Sequence, residues 1–141
     1  MSQIPEVEPL FESNLRSLKK IHQGKVRDIY DVDASHLLIV TTDRLSAFDV
    51  IMREPIPQKG AVLTAVSLFW FEKTRHIIPN HLSSLRIEDI VHDPAELAQL
   101  RGRSMVVKKL RALPVEAVVR GYLIGSGWKD YQREGAVCGV K

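Results

Sequence analysis

The stretch from Leu113 to Trp128 constrains the chain more than any other. Val115 to Leu123 is rich in β-branched and aromatic residues, and Pro114 stands just outside it, where a missing N–H disturbs no ladder. With a period of two, Val115, Ala117, Val119, Gly121 and Leu123 share one apolar face, and Glu116, Val118, Arg120 and Tyr122 share the other. The spacing predicts a strand on which Glu116 and Arg120 stand roughly 13 Å apart on one side of a sheet. An acceptor and a fixed cation are then separated by the span of a small ligand. Gly125-Ser126-Gly127 follows as a glycine-rich turn whose consecutive N–H groups suit an anion, with the Ser126 hydroxyl and the Arg120 guanidinium as directed donors. A surface turn after an edge strand, with Arg120 merely solvated, fits the same residues equally well. Neither common nucleotide fingerprint is present: Asp130 and Ser126 stand where the two motifs require glycine.

The chain has 141 residues, which fits one globular domain or two small lobes. A net charge of +3, with the basic residues spread along the chain, mildly favours anionic ligands and argues against a nucleic-acid surface. Arg120, Tyr122, Trp128, Lys129 and Tyr131 form the one basic and aromatic group such a surface could use. A single cysteine, Cys138, excludes an internal disulfide framework and a multi-cysteine metal site, and suits a reducing compartment. Glu6 and Glu8 and the lack of a long apolar core argue against a signal peptide, and the most apolar run, Ala61 to Phe71, is too short to cross a bilayer. The expectation is a cytoplasmic protein with small-molecule ligands and no membrane or nucleic-acid partner.

Taken in order, Met1 to Glu8 reads as a loose arm, and Leu10 to Lys20 as a short helix or a ragged lead-in. A strand from Lys19 to Gln23, a turn at Gly24 and a second strand to Val32 make a hairpin. Lys25 and Arg27 point to one face of it, and Val26, Asp28 and Tyr30 to the other. Two cations beside a glycine turn could straddle a polyphosphate, although a solvated strand face is the commoner outcome. His36 to Thr41 is a buried strand, followed by a polar loop from Thr42 to Val50. Ser46 and Asp49 are binding candidates there, and an Asx or Ser turn explains them as well. A helix after Gly60 presents Leu63, Val66, Phe69, Trp70 and Ile77 at close to helical spacing, which assigns Trp70 to the core, and Pro79 ends it. Pro94 to Leu100 is a short helix and Ser104 to Leu110 another strand. Gln132 to Val140 has strand character.

Three stretches, Gly24 to Tyr30, Arg44 to Asp49 and Leu113 to Trp128, occur in the order and context found in the SAICAR synthetase family, and nearly the whole chain resembles it. The resemblance implies an ATP-dependent ligase of purine biosynthesis. ATP phosphorylates the carboxylate of carboxyaminoimidazole ribonucleotide, and the amine of L-aspartate attacks the acyl phosphate to give an amide, ADP and phosphate. It further implies an α+β fold: an antiparallel-sheet ATP-binding lobe over residues 1–112, similar to a kinase small lobe, then the start of a second, ATP-grasp-like α+β domain over 113–141. By the same resemblance Gly24, Lys25, Val26 and Arg27 cover the ATP phosphates, and Lys108 to Leu110 meet the adenine. Glu116 lies near the ribose or metal-bound end, Arg120, Gly125 and Ser126 hold the ribonucleotide 5′-phosphate, and Ser46 and Asp49 belong to the substrate pocket.

Family members continue to a segment of the type Asp-x-Lys-x-Glu-Phe-Gly, absent before Lys141. The chain is therefore expected to be an N-terminal portion, inactive as a ligase by itself, with its catalytic residues and Mg²⁺ ligands elsewhere. A truncated nucleotide-binding paralogue is the alternative.

Overall fold

Gly24 divides an alternating polar and apolar run into two strands, and the resulting hairpin founds the main sheet. The computed structural model describes residues 8–115, 117–119 and 121–141. The hairpin pairs β1 (Lys19–Gln23) with β2 (Arg27–Asp31). Next come β3 (His36–Thr41), a small hairpin of β4 (Ser46–Ala47) and β5 (Val50–Ile51), and helix α1 (Lys59–Thr74). A single 3-10 turn (Ile87–Asp89), helix α2 (Pro94–Leu100), strand β6 (Ser104–Lys108) and helix α3 (Gly125–Glu134) complete the order. The chain divides into two compact units, Met1–Leu110 and Arg111–Lys141.

In the first unit β1, β2, β3 and β6 form one sheet in that order, antiparallel throughout. The register places Tyr30, Leu38 and Val106 side by side, with Asp28, Val40 and Ser104 as the next rung. Alternation puts all six on one face, and the apolar ones pack with Leu15, Val91 and Leu100 into a buried cluster. The opposite face carries Arg27, Ile29, Leu37, Ile39, Thr41, Met105 and Val107. The α+β class with an antiparallel sheet is as expected, and β1 to β3, α2 and β6 lie where the sequence predicts them.

The first turn of α1 packs closely against the end of β3. A Cβ on Gly60 would lie 2.2 Å from the Thr41 carbonyl oxygen, so only glycine allows this closeness. The Gly60 N–H is held by the Asp43 carboxylate at 2.8 Å. On α1 itself only Gly60 and Thr64 are buried. Trp70 is 58% exposed and Val62, Val66 and Phe69 are exposed with it, so the assignment of Trp70 to the core is corrected. The reason is that the helix is apolar on every side, and a single stripe of it meets the sheet.

Other expectations also change. Of the two forms expected before β1, the ragged lead-in is the one present, and the polar loop after β3 contains the β4–β5 hairpin. Lys25 belongs to the turn, since β2 starts at Arg27. In the second unit no strand forms among the described residues of 115–123, whose Val115, Val118, Val119 and Tyr122 are exposed. Strand propensity is realised only with a neighbouring strand to bond. Gln132 to Val140 is not a strand either. Helix α3 runs to Glu134, Gly135 closes it in the left-handed region at φ 66°, and Val137 and Val140 bridge a tight turn.

Gly60→Ala tests the close contact of α1 with β3. Forcing a methyl against backbone requires α1 to move away from β3, which should cost about 1–3 kcal/mol or more in urea unfolding. A loss below about 0.5 kcal/mol would show that the helix has room.

Candidate functional site

The site in the first unit is built on a buried arginine. Arg44, 1% exposed, pairs with Asp28 through Nη2 at 2.7 Å, and Asp28 is itself fully buried. Its other donors reach backbone carbonyls: Nε to Lys25 O at 3.0 Å, Nη2 to Gly24 O at 3.0 Å and Nη1 to Phe11 O at 2.6 Å. The second Asp28 oxygen accepts from the Ser13 N–H and hydroxyl at 2.9 and 2.7 Å. Burial raises the Asp28 pKa, but the hydrogen bonds from Arg44 and Ser13 outweigh it and hold the carboxyl below its ordinary value of 3.8. A second buried pair, Asp43 with Arg103 at 2.7 Å, lies alongside and also receives the Leu10 N–H.

This framework orients the turn between β1 and β2. All four carbonyls of Gly24 to Arg27 are engaged, three of them by the surrounding protein. Gly24 and Lys25 O face Arg44, Val26 O accepts from the Thr42 N–H and hydroxyl at 3.0 and 2.9 Å, and Arg27 O accepts from the Gly24 N–H at 2.7 Å. No cis peptide interrupts the described residues, and in a trans peptide the C=O and the following N–H point in opposite directions. The Lys25 and Val26 N–H groups therefore point away from Arg44, and among the described residues neither donates a hydrogen bond. Two free donors beside the Lys25 ammonium and the exposed Arg27 make a concavity for an anion.

The β4–β5 hairpin reaches over the same turn. Its two tip residues, Phe48 and Asp49, both have positive φ, at 50° and 64°, as a tight two-residue connection demands. The Asp49 carboxylate binds Lys25 Nζ at 2.5 Å, and this contact lowers the Asp49 pKa. Ser46 sits at the base of the hairpin opposite Ile51. A cavity of about 520 Å³ lies beside the turn, lined by Phe11, Gln23, Gly24, Lys25, Arg44, Ile51, Met52 and Arg53. Among the sequence candidates, Gly24, Lys25, Val26, Arg27 and Asp49 are thus brought together.

Lys108 lies at the other end of the sheet, five residues along and two strands across, roughly 19 Å from Arg27, and Leu110 lies two residues further on. The outer edge of β6 is partly covered: Ser83 N–H donates to Val106 O at 3.0 Å and Lys108 N–H to His81 O at 2.8 Å. The next groups in that outward series are the Lys108 carbonyl and the Leu110 N–H, which have no partner among the described residues. His81 Nε2 nearby is buried without a partner, and burial, then the Arg27 charge, lowers its pKa.

In the second unit Gly125, Ser126 and Gly127 form the first turn of α3 rather than a free-standing turn. Ile124 at its N-cap supplies no side-chain bond, so the leading N–H groups are unengaged by a cap. Glu116 and Arg120 lie outside the described residues. Sequence reasoning missed Asp28 and Arg44 as a pair, and missed Arg53. The available signal was Asp28 itself, an acid on the same strand face as Tyr30, where only a paired carboxylate is tolerated.

The SAICAR synthetase family profile matches residues 20–139. A phosphoribosylaminoimidazole-succinocarboxamide synthase of Methylococcus capsulatus is 66% identical over 133 residues, 94% of this chain and 45% of that protein. One of Thioalkalivibrio sulfidiphilus is 64% identical over 94% of this chain and 45% of its own length. The solved SAICAR synthase of Saccharomyces cerevisiae, in complex with SAICAR, superposes with a TM-score of 0.86 at 43% identity, covering 94% of this chain and 47% of that one. The chain spans less than half the length of these relatives.

Because Asp28 has a depressed pKa in the folded state, its stabilisation is present above the ordinary aspartate value and is lost as pH falls through the folded value. Asp28→Asn should therefore destabilise the chain at pH 7, by roughly 3–5 kcal/mol if the unpaired Arg44 stays buried. The difference from the parent should shrink below pH 4. Urea unfolding of both proteins at pH 7 and pH 3 measures it, and a gap that is constant with pH would show that the pair does not carry this charge.

Proposed function

Because this chain belongs to the SAICAR synthetase family, we propose that it carries the ATP-binding part of an amide-forming ligase. That enzyme joins L-aspartate to the carboxylate of carboxyaminoimidazole ribonucleotide through an acyl phosphate, releasing SAICAR, ADP and phosphate. The observation that carries the reading is the turn from Gly24 to Arg27, where Arg44 and Thr42 hold the Gly24, Lys25 and Val26 carbonyls and the Lys25 and Val26 N–H groups have no partner among the described residues. Phosphoryl transfer asks a protein mainly for donors and cations positioned before charge develops, which this turn supplies.

ATP in this reading lies along the sheet, as in a kinase small lobe. Its phosphates meet Gly24, Lys25, Val26 and Arg27. Its adenine meets the Lys108 carbonyl and the Leu110 N–H, an acceptor and a donor left over where the covered edge of β6 ends. Roughly 19 Å separates Arg27 from Lys108, room for an extended nucleotide between them. Ser46 and Asp49 face the substrate side of the turn, and the phosphate displaces Asp49 from Lys25. In the second unit, taken as the start of a second α+β domain, Arg120, Gly125 and Ser126 bind the ribonucleotide 5′-phosphate, using the N–H groups that open α3. Glu116 serves the ribose or the metal-bound end. Among the described residues no cluster of three or more His, Cys, Asp or Glu side chains is placed to hold a metal ion. These residues do not by themselves build a Mg²⁺ site, and no step is assigned to one.

Lys25→Ala with Arg27→Ala should weaken ATP at least ten-fold in isothermal titration while circular dichroism stays unchanged, since each charge-assisted contact to phosphate is worth ~1.5–3 kcal/mol. Unchanged ATP affinity in a folded variant would refute the phosphate turn. Arg120→Ala should weaken the ribonucleotide and spare ATP, and equal losses for both ligands would refute its assignment.

A further inference from the structure

The turn from Gly24 to Arg27 has no geometric reason of its own to aim its N–H groups outward. Lys25 and Val26 have negative φ, like most residues, and no proline fixes the turn. The direction comes from Arg44. Its Nε and Nη2 hold two successive carbonyls, those of Lys25 and Gly24, each at 3.0 Å. Holding a carbonyl fixes the N–H of the next residue on the opposite side of the same planar peptide. The two carbonyls that Arg44 binds are therefore the ones that aim the Lys25 and Val26 N–H groups.

We propose that Arg44 is a positioning residue that presets the Lys25 and Val26 N–H groups for a triphosphate without touching it. The proposal rests on the phosphate-turn reading above. Arg44 suits the task because its planar fork binds several acceptors at once in fixed relative directions, which a lysine ammonium on a flexible stem does not reproduce. Asp28 compensates its charge, so the guanidinium remains in the interior while its field reaches the turn. Phe11 O, bound by Nη1 at 2.6 Å, anchors the third side of the fork. The strand end, the turn and the N-terminal segment are thereby tied to one side chain.

The test compares Arg44→Lys with Arg103→Lys, which disturbs the neighbouring buried pair without touching the turn. Backbone amide relaxation by NMR reads the turn directly, and titration with Mg·ATP reads the ligand. In the parent, Lys25 and Val26 should show the order parameters of rigid backbone, near 0.85. In Arg44→Lys they should fall below about 0.6, with Leu38 and Val40 on β3 unchanged, and Mg·ATP affinity should drop at least ten-fold. Arg103→Lys, with a comparable loss of Tm, should leave both readouts at parent values. If Arg44→Lys does not fold, the double variant Asp28→Asn with Arg44→Gln, which removes both charges together, should give the same pair of changes. Rigid Lys25 and Val26 amides in the Arg44 variant would overturn the proposal. So would a mobile turn with undiminished ATP affinity, provided Lys25→Ala weakens ATP. If Lys25→Ala also leaves ATP affinity intact, the phosphate reading itself falls, and the proposal with it.

Discussion

A charge can be buried only if something answers it, and in the first unit Arg44 and Asp28 answer each other. Leaving either alone would cost several kcal/mol of desolvation. Both are therefore held together, at 2.7 Å and with almost no exposure. The remaining capacity of each partner organises what surrounds them. Asp28 draws in Ser13, and Arg44 draws in Phe11 and the carbonyls of the β1–β2 turn. The irregular segment before β1, the start of β2 and the loop after β3 converge on this pair. The neighbouring Asp43 repeats the pattern, holding Arg103, Leu10 and the N-terminal end of α1.

The consequence for function is one of direction. With the Gly24 and Lys25 carbonyls held by Arg44, the Lys25 and Val26 N–H groups point the other way. Lys25 is balanced by the Asp49 carboxylate at the hairpin tip. Both are exposed, so the contact is weak and exchangeable. The same sheet ends elsewhere in a carbonyl and an N–H, at Lys108 and Leu110, that have no partner among the described residues. Four antiparallel strands thus hold these two sets of groups at a fixed separation.

The hairpin from Lys19 to Asp31 and the buried strand from His36 to Thr41 could be read from alternation and from Gly24, because those signals are local. Arg44 could not be read in the same way. Its partners are 16 to 33 positions away, and a charge in a polar loop looks the same whether solvated or paired. Helix α1 misleads for the opposite reason: a helix apolar all round names no single face, so the stripe at Gly60 and Thr64 that meets the sheet is invisible beside Phe69 and Trp70. Residues 115–123 carry strand propensity without a strand to pair with among the described residues. The family resemblance, by contrast, rests on three stretches of specific residues and holds over residues 20–139.

The turn at Gly24 to Arg27 and the edge at Leu110 are proposed as the two ends of one nucleotide site. A ¹H–¹⁵N titration of the chain with Mg·ATP addresses it most directly. The amides of Lys25, Val26 and Leu110 should move together and saturate with a single dissociation constant, because one molecule contacts all three. Shifts confined to Gly125–Gly127, or Leu110 titrating independently of Lys25 and Val26, would contradict the account.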